Sequence, residues 1–122
     1  MKLARWLIVI GSLLLLFGAV LHSYGYRFVM PTVAASNIGP GLLSVFKALW
    51  WVFSVQSALL CPVIIRASRL PNGRGVVLLS ALIPAAVAIV GFCFLGVFPG
   101  SVINGLAAVL LALGGFLLPK SA

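Results

Sequence analysis

His22 is the single histidine of the chain and the one side chain whose ordinary titration falls near neutral pH, so any acid–base or ligating chemistry would centre on it. The groups that could act with it are Tyr24, Tyr26, Arg27, Lys47, Trp50, Trp51 and Asn104. They supply two cations, several hydrogen-bond donors and a set of aromatic faces. Neither Asp nor Glu occurs anywhere in the 122 residues. Donors and cations without a neighbouring acid suit an aromatic-walled pocket that receives a lipid headgroup, a carboxylate or a quinone carbonyl. The same residues also serve, with no ligand at all, as an interfacial aromatic belt around one hydrogen-bonded histidine.

The missing acids exclude more than they suggest. An arrangement of nucleophile, base and orienting carboxylate has no third member, and only Ser or Cys beside His22 is formally open. One histidine and two cysteines, Cys61 and Cys93, do not complete a metal site within one chain. A His22 pair across a homodimer is the one arrangement that would ligate a haem. The cysteines are expected near opposite membrane faces, roughly 15 to 20 Å apart at 1.5 Å per helical residue, beyond the ~7 Å reach of a disulfide. They read as small apolar residues. The sequence therefore predicts no enzyme, no cofactor and no metal. A formal charge of +8 raises nucleic acid as a partner, but the basic residues stand singly at the ends of apolar segments. That placement fits membrane topology and anionic lipid headgroups instead.

The elements that must position these residues follow from where charge is absent. Stretches 6–26, 48–65 and 75–119 carry none and run to 21, 18 and 45 residues. Against the ~20 residues that one helix needs to cross hydrocarbon, they amount to one, one and two crossings. The expected fold is an all-α integral membrane protein, an antiparallel four-helix transmembrane bundle forming a single domain over 1–122. Its spans are placed at about 4–24, 40–65, 75–98 and 101–118, with an outward loop over 25–39. Met-Lys-Leu-Ala-Arg before an apolar run is similar to a secretory signal, with Ser23-Tyr24-Gly25 as a weak cleavage site. The run continues to Leu21, however, and a retained span is expected. Pro31 falls in the loop, Pro40 suits a first helical position, Pro84 lies within span three, and Pro99-Gly100 predicts a hairpin.

Lys2, Arg5, Arg66, Arg69, Arg74 and Lys120 fall on one side of this arrangement and only Arg27 and Lys47 on the other. The positive-inside rule then puts both termini and the middle loop in the cytoplasm, with a bacterial inner (plasma) membrane as the expected location.

Helical spacing gives each span a face of small or polar residues, the usual means of close contact between membrane helices. These faces are Gly11, Gly18 and His22; Lys47, Trp50, Trp51, Ser54, Ala58 and Cys61; Ala81, Ala85 and Ala88; and Gly105, Ala108, Ala112 and Gly115. Gln56 departs from the pattern. It lies opposite Lys47 on the wheel among apolar residues, where an unpaired amide costs roughly 2 to 7 kcal/mol. It is expected to find a partner in another helix, another protomer, a larger complex or a ligand, or to bond its own backbone.

In size and span number the chain resembles the small multidrug-resistance exporters. It has no counterpart of the glutamate in their first helix, so their proton-coupled mechanism does not carry over.

Two functions remain. One is a small accessory or interaction subunit that packs against itself, as a homo-oligomer, or against a larger membrane complex. The other is binding or passive transport of a lipid, quinone or other amphipathic small molecule in an outer-face pocket between spans one, two and four. In that pocket His22 and Lys47 would point inward together.

The predicted orientation has a direct check. In a background lacking both native thiols, a cysteine at position 36 should react with an impermeant reagent applied to intact cells. One at position 69 should react only after permeabilisation. The reverse pattern overturns the orientation.

Overall fold

The computed structural model describes residues 2–119, and Lys120, counted above with the inner-side charges, lies outside them. Four helices account for nearly all of this length: α1 (Lys2–Ala35), α2 (Pro40–Ala67), α3 (Gly73–Leu95) and α4 (Pro99–Phe116). Each is long and apolar enough to cross a membrane, and they pack as an antiparallel bundle. With no water in hydrocarbon to satisfy peptide groups, continuous helix is the state that pairs them within each segment.

The bundle is held by one sequence-distant seam. α4 packs against both α1 and α3, α1 also packs against α2, and the α2–α3 contact is slight. The spatial order is therefore α2, α1, α4, α3. Small residues set the distance between α1 and α4. Gly11 faces Leu111 and the Ala107 carbonyl. A Cβ built on Gly114 would lie 2.6 Å from Cγ1 of Ile8 and 2.9 Å from the carbonyl oxygen of Ala4. Ile8, Ala107 and Leu111 are fully buried there. The same device joins α3 to α4, where a Cβ on Gly115 would come within 2.8 Å of Leu78 Cδ2. At this end Arg74 donates from Nη1 to the Leu118 carbonyl at 3.2 Å, and its guanidinium lies 5.9 Å from the Phe116 ring centre. One side chain thus satisfies a carbonyl just past the end of α4 and ties that end to the start of α3.

The expected loop over 25–39 is corrected by the structure. Residues 25–35 continue α1 as helix, with Pro31 inside it, and only 36–39 connect to α2. Proline deletes one backbone donor, but α2 runs back alongside, Met30 is buried, and tertiary packing outweighs the local signal. Gly39 and Pro40 open α2 as expected, with Gly39 extended at the N-cap. The second hairpin is displaced slightly. α3 ends at Leu95 because Gly96 adopts φ +67°, a left-handed conformation that glycine adopts without steric cost. Pro99 then begins α4, so the turn is Gly96-Val97-Phe98 and not Pro99-Gly100.

Lengths are unequal. At 1.5 Å per residue, the 34 residues of α1 and 28 of α2 reach about 51 and 42 Å, against about 35 Å for the 23 of α3 and 27 Å for the 18 of α4. Gly18 lies against Ile103, which sets His22 near the beginning of α4. Beyond that level α1 continues for a further 13 residues, to Ala35, or roughly 20 Å along its axis.

The seam predicts a sharp contrast between glycines. Gly114→Ala should destabilise the fold by about 1–3 kcal/mol, as overpacking does, whereas Gly41→Ala, with nothing within 4 Å of its new methyl, should be silent. Equilibrium unfolding of both variants in mixed micelles reads the difference.

Candidate functional site

Where the long hairpin passes the start of α4, three rings lock α1 to α2. The imidazole of His22 stacks on Trp50 with centroids 4.2 Å apart and planes 15° from parallel, and the edge of Phe53 closes on it at 4.7 Å. Trp50 also donates its indole N–H to the main-chain carbonyl of His22 at 2.9 Å. Gly25 makes room for this. A Cβ there would already stand 3.5 Å from the Trp50 ring, so larger side chains would press on it. A tryptophan with both its ring face and its N–H engaged is fixed in orientation, and it forms one wall of a cavity.

That cavity has a volume of about 560 Å³, within the range of small-molecule sites. All four helices line it. His22 and Gly18 come from α1, Trp50 and Phe53 from α2, Val87, Val90 and Gly91 from α3, and Ser101, Ile103 and Asn104 from α4. Because α2 and α3 scarcely touch, the walls they contribute are not drawn together by packing. Below it, a narrower cleft of about 50 Å³ runs between Phe53, Gln56 and Ser57 of α2 and Ile83, Pro84 and Val87 of α3. Asn104 borders both spaces.

The lining is apolar except at a few points. Ser101 is 2% exposed, and its hydroxyl has no hydrogen-bond partner among the described residues. The Nε2 atom of His22 is in the same condition. Asn104 donates from Nδ2 to the Gly100 carbonyl at 2.8 Å, which leaves an oxygen and a second N–H on its amide. Ser23 and Ser44, by contrast, donate one turn back, to the Ala19 and Pro40 carbonyls. Ser12 and Ser54 also hold buried, unpartnered hydroxyls among the described residues, but neither borders the cavity.

Of the residues singled out from the sequence, His22, Trp50 and Asn104 come together in this wall. Tyr26 stands next to them, half-buried, with its ring 6.3 Å from Trp50 and 5.4 Å from Trp51. Arg27 is exposed and lies 5.6 Å from the ring centre of Tyr24. Lys47 is exposed and takes no part in the cavity lining, contrary to its expected inward position. It sits three positions before Trp50, on the side of it that leads to the α1–α2 connection. Trp51 is also exposed and borders a shallow groove on the outer face of α2 together with Gln56. The buried stripe of α2 is Ser54, Cys61, Ile64 and Ala67, with Trp50 and Ala58 half-buried.

Ser101, Phe53 and Gly91 complete the site without having been picked out. Ser101 was accessible in principle, since it precedes Asn104 by three positions and so shares its helix face. Gly91 admits it, because a Cβ at 91 would collide with the Ser101 hydroxyl. No family model, curated protein or solved structure matches the chain.

Proposed function

We propose that the protein is a non-enzymatic binding module of the membrane, holding an amphipathic small molecule between its four helices near the outer face. The observation that carries this reading is the cavity of about 560 Å³ with buried, unpartnered polar atoms of His22 and Ser101 along an otherwise apolar wall. A buried polar group without a partner costs about 1–3 kcal/mol, and a ligand with one polar end and an apolar body offsets that cost. The slight α2–α3 contact supports entry from the side, directly from lipid, as an amphipathic molecule would require. Both termini in the cytoplasm and a bacterial inner membrane complete the proposal, on the strength of the charge asymmetry.

Gln56 supports a second reading, as an accessory subunit that associates through α2. Its amide is exposed on a face that also presents Val52, Val55, Leu59 and Val63, where lipid offers no hydrogen bond. The same residue reaches the cleft that ends at Asn104, so an external helix is not its sole recourse.

The two readings part experimentally. If the cavity binds, protein extracted in mild detergent should retain an amphipathic molecule detectable by native mass spectrometry. Val90→Trp, which projects into the cavity, should lose it, while Val97→Trp, exposed outside the lining, should not. Absence of any retained molecule, or retention unaffected by Val90→Trp, overturns the binding reading. If α2 is an association face, Gln56→Leu should weaken self-assembly or complex formation by about 0.6 to 2 kcal/mol. An assembly unchanged by that substitution removes the second reading.

A further inference from the structure

The polar equipment of the cavity also limits what its occupant is, and this inference rests on the binding reading above. Among the described residues, Arg27 and Lys47 are the only Lys or Arg side chains on the segments around this end of the bundle. Both are exposed, and neither contributes to the lining. An anion drawn into the cavity would give up water without meeting a fixed positive side chain, which disfavours it. A phosphate or carboxylate head is better placed outside, beside those two residues. The polar side chains along the wall are a neutral set: Ser101 and His22, whose Oγ and Nε2 are buried without a partner among the described residues, and Asn104, whose amide keeps an oxygen and an N–H. A hydroxyl, a primary amide and a neutral imidazole each donate and accept. Together they match carbonyl and hydroxyl oxygens, which need one donor or one donor–acceptor pair and no counter-charge.

We infer that the cavity takes an uncharged, lipid-soluble molecule whose head carries carbonyl or hydroxyl oxygens, with its apolar body lying against the Val87 and Val90 side of α3. Two sources share this chemistry: a ring ketone or phenol of the quinone type, and an uncharged acylglycerol. The stacked pair of His22 and Trp50, with Phe53 edge-on to the histidine, gives the wall aromatic surface. An aromatic wall favours the planar ring of the two, because ring pairs attract beyond the area they bury.

Trp50 makes the test internal to the site. With Trp6 and Trp51 changed to Phe, its fluorescence reports occupancy of the cavity wall. The protein is placed in phosphatidylcholine nanodiscs and titrated with a decyl-substituted benzoquinone, dioctanoylglycerol, dodecanoate and dodecyl phosphate. At least one neutral probe should bind saturably and at least tenfold more tightly than either anion, and Ser101→Ala should narrow that preference while the protein's melting temperature stays within a few degrees. Tighter binding by the benzoquinone supports the planar-ring source, and tighter binding by dioctanoylglycerol overturns that preference but keeps the neutral class. An anion that binds as well as the neutral probes overturns the class and leaves the cavity reading standing. Saturable binding by none of the four overturns both.

Discussion

The close approach of α1 and α4 is the contact on which the remaining architecture depends. Between membrane helices there is little hydrophobic driving force, because lipid is as apolar as leucine, and association relies on dispersion over surfaces that can come near each other. Gly11 and Gly114 supply that nearness by presenting bare backbone to Leu111, Ile8 and Ala4. Once this pair is set, α3 has one place to lie, against the other face of α4, where Gly115 receives Leu78 and Arg74 holds the Leu118 carbonyl. α2 is left on the far side of α1. The slight α2–α3 contact is thus the counterpart of a tight α1–α4 seam, and the cavity lies in the space that this arrangement does not close.

The His22–Trp50 pair plays the corresponding part for the site. It joins α1 to α2 at the level where α4 begins, and it uses three kinds of interaction at once: ring stacking, an indole N–H to a main-chain carbonyl, and the edge of Phe53. A wall fixed in this manner keeps its shape independently of what lies between the helices. That is the condition for a preformed site, because ordering the wall has already been compensated within the fold.

Much of this organisation was legible in the sequence, for identifiable reasons. The four helices follow from charge-free stretches of sufficient length, since hydrocarbon leaves no alternative to helix for a single apolar segment. Gly39-Pro40 marked the start of α2 because both residues act through their own backbone geometry. Pro31 misled because its local effect is to interrupt helix, while the burial of Met30 beside it is a tertiary fact. Lys47 misled differently. A helical wheel gives its angle, but enclosure also depends on which neighbours stand beside it. His22 and Trp50 stand out because the chain has a single histidine and three tryptophans. Ser101 is one serine among many, and what separates it from Ser12 and Ser54, whose hydroxyls also lack a partner among the described residues, is its place in the cavity wall, a tertiary fact.

The seam also has a consequence for how the molecule comes to exist. It joins the first of these four helices to the fourth, so α1 is synthesised well before the helix it packs against across the seam. Until then α1 has only α2 for company, and α3 has neither α4 nor any extensive contact with α2. Insertion and assembly are accordingly separate stages here. The growing chain waits as inserted spans, with the Gly11 face of α1 turned to lipid, until α4 arrives. A chain lacking α4 would lose Ala107 and Leu111 from its core and leave Ile8 and Gly11 of α1 without the surface they pack against.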